Sequence, residues 1–536
     1  MCIRDSPFAP LPPGARARPA RNNACIMAYS APVTPPAYQY HPYDLRLRSA
    51  TPHPNPFLVD LRAHLSGPDG AALTVRGCYD GDAAWLLRLC PNVPGEWRYV
   101  TESPDPQLDG HAGVLRCAPG PNPRVHGALG LDPEHPYHFR YEDGTRPFVL
   151  GYEANWLWAL GYLPDGEAQL RRFAARLAGY GYNHVFVNAY AHDTHWAPGK
   201  SHPEDYGPPP AYAWEGTNAA PDHLRLNVRY WRVFDLMMAA LFDAGLTAHL
   251  YLKVYNKDVT WPAKRSLADD LFFGYVVARY GGYSNVVWDF AKESYNERDK
   301  GYCENRLSLI KALDGYRRLV TTHDDWALHF DRLAGGATDF VTDQKHDNFA
   351  ARIVDLRRRR ACPVINAEFA YECGPGGVDD LSYHPRVRHT PEEHVLRSWE
   401  VVFGGGYPGY YYLYTAWDVI RPEDLPPGYA LHQRLAAFMT ESEWWRLEPR
   451  PEQVERSSAR CLLRPGAECL FFNAGHKARF DEATRATVLR PFPGPLVCDW
   501  IQPLSGERAR TEIDPPLRFA LTPPFEGPYA VRLRPA

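Results

Sequence analysis

Several absences narrow what this 536-residue chain can do. Its 59 Lys and Arg stand against 63 Asp and Glu, for a net charge of -4. It therefore lacks the basic field that captures nucleic acid or an anionic membrane surface. Its 11 cysteines run from Cys2 to Cys498 with no Cys-x-x-Cys pair and no Cys/His cluster at zinc spacing. Neither a disulfide framework nor a metal site is implied, and no cofactor is expected. No apolar run reaches membrane-spanning length, and the N-terminus lacks the apolar core of a secretory signal, so the expected location is cytoplasmic with no membrane partner. No Gly-x-Gly-x-x-Gly follows the first strand of the central region, which argues against a dinucleotide-binding sheet.

What the chain does have is aromatic residues and a pair of well-placed glutamates. The 15 Trp, 33 Tyr and 23 Phe mostly fill cores, but rings at a cleft stack on the apolar faces of sugars. Glu293 follows the β-like run Asn285-Val-Val-Trp-Asp-Phe-Ala-Lys, and Glu368 ends Pro363-Val-Ile-Asn-Ala-Glu. Two carboxyls delivered from strand ends into one cleft are what glycoside hydrolysis requires, one as acid and one as nucleophile or base. A glutamate at the end of so apolar a strand is costly to bury without a task.

The length suits two or three domains. Residues 1–36, rich in Arg, Pro and Ala, are expected to be disordered or an artefact of the gene start, with Met27 opening a more protein-like sequence. Residues 37–119 alternate short apolar runs with turn signals such as Gly67-Pro-Asp-Gly70, the pattern of a β-sandwich. Residues 120–147 read as a linker ending in a hairpin over His138–Gly144. From 148 to 448 strand and helix alternate, which implies parallel pairing and right-handed crossovers. The candidate strands are 148–152, 184–188, 247–252, 285–288, 318–322, 339–342, 363–366 and 409–413; helices are expected over 166–177, 228–244, 267–280, 305–316 and 392–402. Eight such units make an α/β fold, a (β/α)8 TIM barrel. Residues 449–536 return to short strands and form a small C-terminal β-domain.

In such barrels chemistry gathers at the C-terminal strand ends. Those positions here are Glu153 and Trp156; Asn188, Tyr190 and His192; Lys253, Tyr255 and Asn256; Lys292 and Glu293; His323, Asp324 and Asp325; Asp343, Gln344 and His346; Glu368 and Tyr371; and Tyr414 and Trp417. A rim of carboxylates, amides, histidines and aromatics suits a polyhydroxylated ligand. From it Trp156, Asn188, His192, Lys253, Lys292, His323, Asp324, Gln344, Tyr371 and Trp417 are taken as substrate-binding, Trp417 as the floor under the terminal sugar. The insert from Asp193 to Leu226, with Trp196 and Trp214, is expected to narrow the barrel mouth and favour exo action on short oligosaccharides. Arg357-Arg-Arg-Arg360 reads as a solvated helix end.

Trp288 followed by Glu293, with Glu368 on the seventh strand, resembles the acid/base and nucleophile of clan A glycoside hydrolases. The N-terminal Pro-Phe-Leu-Val run, Gly77-Cys-Tyr-Asp-Gly81 and Pro94-Gly-Glu-Trp97 resemble the sandwich called domain of unknown function 5060. The barrel behind it is similar to the apiosidase-like family (domain of unknown function 4038), with a C-terminal domain like domain of unknown function 5605. The resemblance implies a bacterial retaining glycosidase in which Glu293 is the acid/base and Glu368 the nucleophile. It also implies an Asn directly before the acid/base, contacting the hydroxyl next to the anomeric carbon, where this chain has Lys292. That lysine could bind the hydroxyl, pair with a substrate carboxylate, or lower the pKa of Glu293; a role for Asp289 or Glu297 stays open. The alternative function is a non-catalytic carbohydrate-binding protein on a degenerate barrel. An oligosaccharide or glycoside is the expected partner, and self-association is left open.

Overall fold

The computed structural model describes residues 36–191, 211–323, 337–374, 388–416, 421–475 and 486–536; the expectations for residues 1–35 fall outside these. Its centre is a sheet of eight parallel strands: β1 (Gly151–Glu153), β2 (His184–Asn188), β3 (Thr247–Val254), β4 (Val286–Lys292), β5 (Val320–Thr321), β6 (Val341–Asp343), β7 (Val364–Asn366) and β8 (Tyr407–Tyr410). They lie in the order β5-β4-β3-β2-β1-β8-β7-β6. A parallel bridge between His323 and Thr342 brings the two ends together, where Thr321 Oγ1 donates to the Phe340 carbonyl at 2.8 Å. The sheet is a (β/α)8 barrel. Every residue of β2, β3 and β4 is buried, as expected for strands with helices outside and packed side chains within.

The described outer helices are α1 (Gly166–Gly179), α2 (Val228–Asp243), α3 (Leu267–Tyr280), α4 (Lys300–Leu313), α5 (Phe349–Arg359), α6 (Pro391–Phe403) and α7 (Gly428–Thr440). The starts of four of them are set by side chains that take up orphan N–H groups. Asn227 caps α2, Ser266 caps α3 and Asp299 caps α4, while Thr390 and Glu393 make a reciprocal capping box on α6. The Asp299 cap starts α4 five residues before the helix expected from apolar spacing alone. Likewise β4 runs on to Lys292 instead of stopping at Trp288, because Asp289 and Lys292 find partners inside the barrel. The first strand begins later than expected, at Gly151, and the last earlier, at Tyr407.

Before the barrel, a five-stranded sheet (Ala37–Tyr38, Ala112–Ala118, Gly95–Glu102, Arg62–Ser66, Ala72–Arg76) faces a three-stranded one (Tyr43–Arg48, Ala84–Leu89, Cys78–Tyr79). Alternate residues point between the sheets, and Leu65, Trp85, Leu87, Trp97 and Leu115 fill the space. Strands Leu129–Leu131 and Phe139–Tyr141 then pair antiparallel. This hairpin lies against the N-terminal strand ends: Phe139 packs edge-on to Phe340 at 5.2 Å, and His138 Nδ1 lies 2.7 Å from the Tyr407 hydroxyl. It floors the barrel at the end opposite the C-terminal strand ends. After α7, a six-stranded and a three-stranded sheet form the C-terminal β-domain, held to the barrel by Trp399 stacked on Phe472 and by Arg532 donating to Glu441 at 3.0 Å.

Two corrections follow from packing. Arg357 is not solvated: it is buried, its guanidinium lies 4.1 Å from the centre of the Tyr137 ring, and it donates to Glu448 at 2.7 Å, bridging floor and C-terminal domain. Trp214 of the insert presents no free ring face to a ligand. It is buried edge-on to Tyr190 and Trp261, at the base of a hairpin over Trp214–Thr217 and Ala220–Leu226; Trp196 is outside the described residues.

The Gly77–Gly81 motif docks the sandwich on the barrel. Asp80 accepts from Arg279 of α3 at 2.9 Å, and Arg279 also grips Asp235 of α2 through Nε (3.0 Å) and Nη2 (2.6 Å). Gly282 and Gly315 allow the close approach, since a Cβ there would lie 2.3 Å from the Arg88 carbonyl and 2.0 Å from that of Thr74. Removing one partner of a buried pair strands the other, at about 3–5 kcal/mol. Arg279→Ala should therefore lower the thermal midpoint by several degrees and expose the sandwich–barrel junction to limited proteolysis. A midpoint equal to wild type would mean the junction does not depend on this pair.

Candidate active site

The site is built at the C-terminal ends of β1, β3, β4 and β7. In β4, Asp289 Oδ1 accepts from the Ala291 N–H at 2.9 Å and from the His323 N–H at 3.0 Å, which turns the strand end and leaves Lys292 pointing into the barrel. Asp289 Oδ2 meets His249 Nε2 at 3.0 Å, and His249 Nδ1 meets His184 Nε2 at 2.9 Å, a buried ladder that holds this wall. Glu293 comes next in the left-handed region, with φ of 55°, and on the opposite wall Ala370 has φ of 45°. Side chains other than glycine rarely adopt such angles, and the strain is tolerated where surrounding contacts over-determine it, as at functional sites.

The Lys292 ammonium, wholly buried, donates to Glu368 Oε2 and lies 3.4 Å from both carboxyl oxygens of Glu153. Glu153 also accepts from Asn155 Nδ2 at 2.6 Å and from the Tyr251 hydroxyl at 3.1 Å. The other oxygen of Glu368 accepts from the Tyr371 hydroxyl, whose ring is stacked on Tyr411 with centroids 3.9 Å apart. Glu293 is held by amides: Asn256 at 2.9 Å, Asn296 at 3.1 Å and Gln344 at 3.5 Å.

These contacts separate the carboxyls electrostatically. Burial alone would raise the pKa of Glu368, but the Lys292 ammonium above all, with the Tyr371 hydroxyl, brings it from 4.5 down to about 2. Burial and the charge of Glu368 raise that of Glu293, against the pull of Lys292. Burial lifts Glu153 to about 7 although the same ammonium faces it. One cation cannot neutralise two carboxylates, and Glu368, in closer contact with it, takes the larger share while repelling charge on Glu153. His323 is pushed well below the usual histidine range by burial and then by Lys292, so its ring is neutral.

The sequence-derived candidates divide accordingly. Glu293, Glu368, Lys292, His323, Gln344 and Tyr371 come together. Asn188 is fully buried at the end of β2; it shares parity with His184 and Phe186, which contact His249 and Tyr251 inside the barrel, so it faces inward. Neither polar atom of its amide has a hydrogen-bond partner among the described residues. Two candidates sit elsewhere. Lys253 turns outward to Asp269 of α3, at 3.0 Å, and to Tyr302 of α4, because that buried aspartate needs a cation. Trp156 is fully buried in the aromatic core and offers no free face. His192, Asp324 and Trp417 lie outside the described residues. Reasoning from strand ends passed over Glu153 and Asn256, which stood in the rim without an assigned role, and missed Tyr251 and Asn296. Tyr251 is interior to a strand and Asn296 sits in a short turn, so no strand-end pattern marks them.

Residues 134–447 match the sequence model of the apiosidase-like catalytic domain, over more than half the chain. The chain belongs to that family. It is a glycoside hydrolase, and residues 37–104 match domain of unknown function 5060. A search of curated proteins finds no match. Among solved structures, this family member resembles a putative glycoside hydrolase from Bacteroides vulgatus with TM-score 0.74 and 19% identity over 93% of this chain and 99% of that one. A family 5 glycoside hydrolase from the same organism gives TM-score 0.55 and 15% identity over 77% and 93%. These likenesses concern the fold. Among the described residues no helix is long and apolar enough to cross a membrane.

Two outcomes test the electrostatic arrangement. The folded-state pKa of Glu368 lies below its ordinary value, so its ionisation stabilises the fold above about pH 4.5, and that contribution is lost as pH falls towards 2. Lys292→Met should remove this term, cut activity at least about a hundredfold, and move the acid limb of the pH–rate profile upward; an unmoved limb would mean Lys292 does not set Glu368. Asn188→Leu replaces an unsatisfied buried amide by an apolar group of similar size and should stabilise the free protein by about 1–3 kcal/mol while lowering turnover. A destabilised protein with normal turnover would make Asn188 structural.

Proposed function

We propose that this enzyme is a retaining hydrolase of O-glycosides, with Glu368 as nucleophile and Glu293 as acid/base. The observation that carries the reading is the opposite displacement of the two carboxyls. Glu368, paired with Lys292 and Tyr371, is ionised and ready to attack, while Glu293, half-buried beside that charge, has its pKa raised and holds its proton more tightly. In the first step the Glu368 carboxylate bonds to the anomeric carbon as the bond to the leaving oxygen breaks, and Glu293 transfers its proton to that oxygen. In the second, Glu293, now a carboxylate, takes a proton from water as the water attacks the anomeric carbon and Glu368 departs. Asn256, Asn296 and Gln344 hold the Glu293 carboxyl in both ionisation states, because an amide can donate to a carboxylate or accept from an acid. Lys292 is engaged with two protein carboxylates, which supports a neutral sugar over an anionic one.

Leaving-group dependence separates the two roles. Glu293→Gln should lose most activity on alkyl glycosides yet retain a rapid first step on a nitrophenyl glycoside, whose phenolate departs unaided, and should accumulate the covalent intermediate. Glu368→Gln should be inactive on both. Burst and steady-state kinetics on paired substrates report this, and NMR of the first-formed sugar should show the substrate's anomeric configuration. Equal losses on both substrates for Glu293→Gln, or an inverted product, would overturn the assignment.

A further inference from the structure

We propose that His323, and not Lys292, donates the hydrogen bond to the hydroxyl beside the anomeric carbon, through an Nε2–H held between the two catalytic glutamates. This rests on the double-displacement reading and names the group that recognises the sugar within it. Lys292 occupies the sequence position where an amide would do so, but its ammonium is fully buried and shared by Glu368 and Glu153.

His323 is fixed from several sides. Its N–H donates to Asp289 at 3.0 Å, and its carbonyl accepts from both the N–H and the hydroxyl of Ser294 at 3.0 Å. Its Nδ1 lies 3.4 Å from the backbone N of Glu293. A backbone N–H can only donate, so Nδ1 is the bare nitrogen and the ring proton sits on Nε2. Tyr251 lies along the ring, with centroids 5.4 Å apart. Lys292, Glu368, His249 and His346 are the charged or titratable groups acting on it, and burial followed by the Lys292 charge keeps the ring neutral.

Nε2 is buried and has no hydrogen-bond partner among the described residues. An unsatisfied buried N–H is a standing cost, and its retention points to a partner that arrives with the ligand. Its place identifies that partner. His323 is bonded to the Glu293 backbone and close enough to Glu368 to feel its charge. The anomeric carbon must lie between those two carboxyls, so the neighbouring hydroxyl is the first sugar group that Nε2 meets. That hydroxyl would accept from Nε2 and donate to Glu368, an arrangement that tightens as charge develops at the anomeric carbon.

Two experiments decide the matter. In protein carrying 15N-labelled histidine, the His323 signals, assigned by their loss in His323→Gln, should show the neutral Nε2–H tautomer from pH 5 to 8; an imidazolium or an Nδ1–H tautomer overturns the proposal whether or not any substrate is turned over. Kinetics then use the best substrate from a panel of 4-nitrophenyl pentosides and hexosides of both anomers, with its 2-deoxy counterpart. Wild type should lose more than about tenfold in kcat/KM on the 2-deoxy substrate. In His323→Ala the two substrates should be nearly equal, and His323→Gln, whose amide reaches the place of Nε2, should restore part of the preference. If His323→Ala keeps the full 2-deoxy penalty, the proposal fails. If the panel yields no turnover at all, the hydrolytic reading fails, and the NMR result still decides the state of His323.

Discussion

A single buried ammonium organises this active site. Lys292 stands between Glu153 and Glu368, and a charge enclosed on all sides is tolerable only because two carboxyls and their own donors surround it. The rest of the site's electrostatics follow. Glu368 is held ionised, the pKa of Glu293 is raised by burial and by the charge of Glu368, and burial lifts that of Glu153 to about 7. The barrel makes such a cluster affordable: each of its members is anchored at the end of a rigid strand, so little ordering remains to be done when a substrate enters.

The outer parts of the molecule serve that rigidity. The sandwich is clamped to α3 and α2 through Asp80 and Arg279, the Leu129–Tyr141 hairpin floors the barrel, and the C-terminal sheets brace α6 and α7. Among the described residues none of these hydrogen-bonds to Glu293 or Glu368. Two arginines, Arg279 and Arg357, are buried clamps between domains. Composition could not reveal this, because an arginine bound to an aspartate some two hundred residues away, as Arg279 is to Asp80, has the same letter as a solvated one.

Within the site, Glu293 and Glu368 were legible because each ends an apolar run, and their neighbours Lys292, His323, Gln344 and Tyr371 were legible as polar residues just past strands. Lys253 met the same rule and points the other way, since the side of the sheet a terminal side chain takes depends on local twist and on which partner is buried nearby. Trp156 lies in the buried aromatic core, and an aromatic ring after a strand is as useful to the core as to a sugar. Glu153 joins Lys292 and Glu368 only through the closure of the sheet, which brings β1 across from β4 and β7.

By itself the sequence determined the fold class, through the alternation of strand-like and helix-like periods, and the reaction class, through two strand-end glutamates; both are local patterns that survive without coordinates. The tertiary structure alone decided what Lys292 does. Chain order presents that lysine as a substitute for a sugar-binding amide. Enclosure of its ammonium between Glu153 and Glu368 makes it the counter-ion of Glu368, because the energy of a charge depends on what lies within a few ångströms of it and not on its neighbours along the chain.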